Sequence, residues 1–460
     1  MKNMSLNKAM ISTILTLAWP TMLEQLMQTA VQYIDTAMVG ALGTQATAAV
    51  GATSTVGWLV FSTISAFGVG FLSFIAQAYG AGDKDAAAKA VSQAVFMTVV
   101  TGLIFTVITV GLSGLVPVWM QVEKSIQGLA SQYFFILYLP MLPRTASTIF
   151  GTALRAAGDT KTPMKVGVAV NVINVILNFL LIYPTRKLSL LGMTFTMPGA
   201  GWGVIGAAAA SAIAFTVGGI CITVALWKHP MLSPKGQSFK PNKEILLPCL
   251  KVAVPNMFQR FGSSLGYVFF AAMINSLGEV ATAAHTIANT VESAFYIPGY
   301  GMQTAAATLS GNAYGANDKE RMNELARMFI PIEIGLMILS GGALFLSAPA
   351  LVGLFSESAE VIVLGSTVLR MVALSEPFYG FSIIIEGMML GVGNTKQPLV
   401  YNVMGMWGVR VLGTFVCTQF LHLGLVSAWG CMIAHNLLVF TLFMVSYVSK
   451  KWNPLERKAV

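Results

Sequence analysis

Of 460 residues, 55% are hydrophobic and only 10% charged, and the mean hydropathy is +0.72, which excludes an ordinary soluble globular domain. The formal net charge of +9 raises the question of nucleic acid, but Lys and Arg concentrate in alternate connections between apolar runs. That is a membrane-topology signal, so a polytopic membrane protein in contact with the lipid bilayer is expected, and no nucleic-acid partner.

Runs long enough to cross a bilayer, roughly 20 residues each, fall near 10–38, 45–78, 90–118, 130–152, 163–183, 202–227, 246–275, 280–312, 327–355, 362–389, 398–420 and 424–448. These twelve predict an all-α fold. The first run has no small-residue cleavage site and is followed directly by a second, so it reads as a retained helix and not a signal peptide. It carries Gln25, Gln28, Gln32 and Asp35 at spacings of three, four and three, hence on one helical face.

A carboxylate at mid-bilayer costs about 2.5 to 3.5 kcal/mol, so Asp35 should face protein or water. The fifth run offers partners: Asn174 and Asn178 share a face, with Asn171 one turn earlier. One carboxylate and amide oxygens suit a hard monovalent cation, which makes Asp35, Asn174 and Asn178 a candidate Na⁺ site; the same carboxyl can carry a proton instead. The bland alternatives are that Asp35 snorkels at the outer interface and that the asparagines hydrogen-bond between helices.

Between residues 184 and 201 the chain is polar and faintly alternating, which reads as an outer hairpin and a partial lid. The segment 228–245, "KHPMLSPKGQSFKPNKEI", reads as a cytoplasmic linker. Beyond it, His285, Asn289, Glu292 and Tyr296 form one stripe, and Glu376, Tyr379 and Glu386 another. Arg260 and Arg410 lie at comparable depth and are expected to neutralise Glu292 and Glu376; the sharper reading leaves one acid free for a cationic substrate. Glu386, near the loop glycine Gly391, is expected to snorkel to the interface. Cys221, Cys249, Cys417 and Cys431 have neither metal nor redox spacing, and the four histidines are too dispersed for a metal cluster. No phosphate-binding loop and no convergent nucleophile and base are evident, so direct ATP use and enzymatic activity are not expected.

"QAYGAGDK" at 77–84 returns as "NAYGANDK" at 312–319, and "GDTKTP" at 158–163 as "GNTKQP" at 393–398, both displaced by 235. The same shift carries Pro20 onto Pro255. Two homologous six-helix lobes follow, 1–227 and 246–460, with 228–245 between them. Because six is even, both enter the membrane in the same sense, and a V-shaped cleft between them is the natural ligand site. Asp35 maps onto Phe270 and Asn174 onto Val409, so the ion constellation exists in one lobe only. Basic residues from Lys8 through Lys84, Lys161 and Lys319 to Lys458 place both termini in the cytoplasm by the positive-inside tendency.

Pro20, "DTAMVG" at 35–40, the "AYG" and "GDTKTP" loops and the two-lobe repeat together resemble the multidrug and toxic compound extrusion (MATE) transporters, over nearly the whole chain. The resemblance implies alternating access in the cell membrane, with cationic or amphipathic compounds exported in exchange for H⁺ or Na⁺ and no other cofactor. Asp35 falls on the family's first-helix acid, and Asn174 and Asn178 on its fifth-helix polar pair. On the sixth helix only Ser211 offers a hydroxyl. Ser263 and Tyr379 stand where NorM-type members carry acids, so the chain looks closer to the DinF-like branch. Gln28, Gln32, Arg260, His285, Asn289, Glu292, Glu376, Tyr379 and Arg410 are candidates for the substrate or ion path. A monomer is expected, and the rival reading is a lipid-linked saccharide flippase of the same superfamily.

Overall fold

The computed structural model describes residues 2–190 and 192–457; Met1, Leu191 and 458–460, including Lys458, lie outside the described residues. The first half comprises α1 (Lys2–Gly40), α2 (Thr44–Gly80), α3 (Lys84–Leu112), the single turn α4 (Val116–Trp119), α5 (Lys124–Tyr138), α6 (Met141–Ala156), α7 (Lys161–Leu181), the hairpin β1 (Pro184–Leu190) and β2 (Met193–Ala200), and α8 (Gly203–Lys228). The second comprises α9 (Lys243–Asn275), α10 (Glu279–Gly315), α11 (Lys319–Gly353), α12 (Ala359–Ala373), α13 (Glu376–Gly391) and α14 (Lys396–Val403). π-Helical turns at Met404–Val411 and Val416–Phe420 flank α15 (Leu412–Phe415), and α16 (Leu425–Val448) and the short α17 (Pro454–Arg457) close the chain.

Among the described residues seven helices are long and apolar enough to cross a membrane, and the pair α12–α13, bent by 51°, makes an eighth if counted as one span. Helices α1, α9 and α10 do not reach that hydropathy although they run 39, 33 and 37 residues. They carry the polar stripes and, with α2, pack across the boundary between the lobes. The α5–α6 pair has the same broken form as its repeat α12–α13, with Pro140 capping α6 and Pro377 in the first turn of α13. The sequence reading treats these as single spans. Pro140 at the first break, and Ser375 with Pro377 at the second, end one helix and start the next inside the span.

The repeated loops have a local cause. Asp83 Oδ1 accepts from the Ala86 N–H at 2.9 Å and Asp318 Oδ1 from the Arg321 N–H at 2.9 Å, so each "AYG-x-x-D-K" acid is an N-cap. The turn between the helices places Gly82 at φ 72° and Asn317 at φ 53°. The motif glycines Gly80 and Gly315 end their helices. A Cβ on Gly80 would lie 2.0 Å from the Asn312 carbonyl oxygen, and one on Gly315 would lie 1.9 Å from that of Gln77. Under the 235 shift these contacts exchange, so the lobes meet about a pseudo-twofold axis at which only glycine fits. Gln77 and Ser73 add hydrogen bonds to the Gly391 carbonyl at 3.1 and 3.2 Å. The lobes are therefore sealed at the end of the bundle that bears these loops.

The first helix of each half crosses between cores. Ile14 and Ala18 of α1 are buried among Met302, Phe329 and Phe381, whereas Met38 and Val39 at its other end pack with Ile182 and Val204. Helix α9 mirrors this, with Ile245 and Cys249 in the core of α2, α3 and α6, and Phe270 and Ile274 among α10, α11 and α12.

Candidate functional site

The C-terminal end of α1 brings Asp35 against the buried face of α7. Asn178, 1% exposed, and Asn174, 5% exposed, point at the half-buried carboxylate. Asn178 Nδ2 donates to Asp35 Oδ1 at 2.5 Å and lies 3.2 Å from Asn174 Oδ1. Asn174 Nδ2 donates to Ser211 Oγ of α8 at 3.0 Å. With its amide turned by half a rotation, Asn174 instead donates to Asp35 Oδ1 at 2.9 Å and accepts from the Ser211 hydroxyl at 3.0 Å. Asn178 Oδ1 is buried and accepts nothing.

One carboxylate, two amides and a hydroxyl can therefore do two things. With nitrogens turned inward the amides donate to the carboxylate; with oxygens turned inward the same groups form an all-oxygen set of the kind hard cations prefer. A primary amide exchanges these faces with little change of shape. Among the described residues no group of three or more His, Cys, Asp or Glu could hold a metal ion.

The rest of the α1 stripe does not join the site. Gln28 and Gln32 are exposed, and their side chains make no hydrogen bond with Asp35 or the asparagines. Nearby, the Tyr33 hydroxyl crosses to α10 and donates to the Thr290 carbonyl at 3.1 Å.

In the second half the expected ion pairs do not form. Arg260 Nε donates to Asn256 Oδ1 at 3.0 Å, and the acid whose charge it feels is Glu386. Arg410, 2% exposed, lies in the π-helical turn over the rings of Tyr267 and Phe270, at 4.8 and 5.3 Å. It faces Glu292 without an ion pair. Glu376 faces Glu292 and Glu333, not an arginine. Glu386 does not snorkel; it turns inward and accepts from Gln259 Nε2 at 2.6 Å. The physical reason is azimuth: the bend before α13 turns Glu376 and Glu386 towards α10, α11 and α9. His285 accepts from the Trp429 indole at 3.2 Å, Asn289 is exposed, and Tyr379 shares a 2.7 Å hydrogen bond with Tyr300 while meeting Tyr296 edge to face.

Several side-chain arrangements escaped the sequence reading. Glu333 of α11 is fully buried, and neither carboxyl oxygen has a hydrogen-bond partner. Its signal was an isolated acid in an apolar run. Glu24, one turn beyond Pro20, holds Arg155 of α6 at 2.6 Å through both oxygens, and the Arg155 carbonyl accepts from Thr308 of α10 at 3.1 Å. Cys417 and Cys431, read as isolated, approach to 3.8 Å between sulfurs.

A family model described as MatE matches residues 20–180 and 255–416. The chain is 28% identical over 97% of its length, and 93% of the relative's, to a protein of Thermotoga maritima named probable multidrug resistance protein NorM. It is 27% identical over 89% of its length and 87% of the relative's to the probable multidrug resistance protein YoeA of Bacillus subtilis. A solved structure described as the outward-facing conformation of a multidrug resistance MATE family transporter of the MOP superfamily superposes with a TM-score of 0.89 at 22% identity, over 97% of both chains.

Proposed function

Because the chain belongs to the MatE family of multi-pass membrane transporters, we propose that it is a secondary active exporter of cationic or amphipathic small molecules, driven by entry of H⁺ or Na⁺. The names of its relatives, multidrug resistance proteins, support multidrug export. The observation that carries the reading is the Asp35–Asn178 contact, placed on the one helix of the first half whose inner end is seated in the opposite core.

The mechanism follows from where α1 is held. At its outer end Asp35 binds α7; near its middle Glu24 binds Arg155; further in, Ile14 and Ala18 pack in the second lobe. Protonating Asp35 removes a charge-assisted acceptor, and a cation beside it turns the amide oxygens inward. Either event changes the grip of α7 on α1, and a helix shared by two lobes carries that change to their packing. Substrate in the cleft must then alter ion affinity by the same factor by which the ion alters substrate affinity. On this reading both termini lie in the cytoplasm, as the basic residues of alternate connections favour, and the working unit is a monomer. The DinF-like assignment rests on Ser263 and Tyr379, uncharged where NorM-type acids are expected. A lipid-linked saccharide flippase is less favoured, because Arg260 and Arg410 share their region with Glu292, Glu333, Glu376 and Glu386.

Reconstituted vesicles with pH and Na⁺ gradients imposed separately test the proposal. Efflux of a cationic dye should follow one or both gradients; efflux indifferent to each would reject ion-coupled export.

A further inference from the structure

On the outer face of the second lobe, α11, α13 and α16 leave a groove of 480 Å³. One end is polar and the remainder apolar. At the polar end stand Arg327, exposed and in no ion pair, and Tyr447, whose hydroxyl makes no hydrogen bond among the described residues. The apolar walls are supplied by Pro331, Ile334, Phe378, Phe381 and Phe440, with no acidic residue among the lining.

Depth decides what such a groove would meet. Helix α11 has 35 residues and is about 52 Å long, so a hydrocarbon core of about 30 Å leaves about 11 Å beyond it at each end. Arg327 lies eight residues after Lys319, about 12 Å along the helix, and therefore at the boundary between headgroups and acyl chains. Pro331 and Ile334 lie deeper, on the hydrocarbon side. Tyr447 is one residue from the end of α16, at the same level. Two uncommitted donors at phosphate depth above an apolar slot match the two ends of one phospholipid, and the guanidinium selects a negatively charged headgroup. An amphipathic cation would set its charge against Arg327.

We propose that this groove binds an anionic phospholipid of the loop-side leaflet, its phosphate on Arg327 and Tyr447 and an acyl chain along Pro331, Phe378 and Phe440. The lipid then rests on α13, the half-span that follows the 51° bend and carries Glu376.

The test is photolabelling in phosphatidylcholine vesicles with phosphatidylglycerol bearing an acyl-chain diazirine. Adducts are expected on 377–381 and 440–447, competed by unlabelled phosphatidylglycerol and not by phosphatidylcholine. Arg327→Ala, at an exposed position, should lower the yield about five-fold, and Arg327→Lys should retain most of it, with gel filtration confirming that both fold. Equal labelling by a phosphatidylcholine probe, adducts elsewhere only, or an Arg327→Ala yield equal to wild type would overturn the assignment. Displacement by tetraphenylphosphonium but not by phosphatidylglycerol would also overturn it, making the groove part of the substrate path.

Discussion

Both oxygens of Glu333 are buried without a donor, an arrangement that opposes stability, since an unsatisfied polar group costs about 1–3 kcal/mol. Replacing it by Met, of similar length, should raise the thermal midpoint of the purified protein; a lowered midpoint would show that the carboxyl makes a stabilising contact. Asn178 supplies the contrasting case of a polar side chain that is aimed. Asn178→Ala should weaken the Na⁺ dependence of efflux if Na⁺ is the coupling ion, and an unaltered Na⁺ titration would favour the proton. Asp35 and its asparagines were legible in the sequence because helical spacing fixes which residues share a face. The pairing of Arg260 and Arg410 was not, because depth along a helix says nothing of azimuth after a bend, and Glu376 and Glu386 both follow one.

At the scale of the element, the repeated loops were legible as turns, and the φ of 85° at Gly158 and 82° at Gly393 agrees with that reading. The role of Gly80 and Gly315 was not legible, since it lies in a contact between helices distant in sequence. Gly80→Val should hold the lobes apart at the loop-bearing end, because the new side chain would overlap Asn312. Cys249, now 2% exposed on the crossing helix α9, is the native reporter. Its reaction with a membrane-permeant thiol reagent should accelerate in the variant, and an unchanged rate would show that the seal tolerates the change. The breaks within α5–α6 and α12–α13 escaped the sequence reading because hydropathy averages over a bend.

For the whole molecule, a gap-free offset of 235 residues made the two-lobe architecture readable, whereas the exchange of α1 and α9 between cores depends on three-dimensional crossing alone. The C-terminal turn ties the second lobe together. Glu456 accepts from Lys319 Nζ at 2.6 Å and Asn323 Nδ2 at 2.9 Å, and Lys450 lies at 3.6 Å. The Lys319 hydrogen bond, with that from Asn323, holds the Glu456 carboxyl down at about 2 from an ordinary 4.5. A depressed carboxyl stabilises fully above its unfolded value and loses that contribution as pH falls through the folded one. Protection of 450–457 from hydrogen exchange, corrected for the intrinsic rate, should therefore decline from about pH 4.5 towards pH 2. Glu456→Gln should flatten that decline, and an equal decline in the variant would assign it to another group.

Alternating access asks a local event to move two lobes, and α1, which like α9 touches both, carries Asp35. The most direct measurement is gradient-driven efflux by Asp35→Asn in proteoliposomes matched for inserted protein. Loss of gradient-dependent efflux in a variant that inserts and folds normally is the expected result; efflux at the wild-type rate would contradict the assignment of Asp35 as the coupling group.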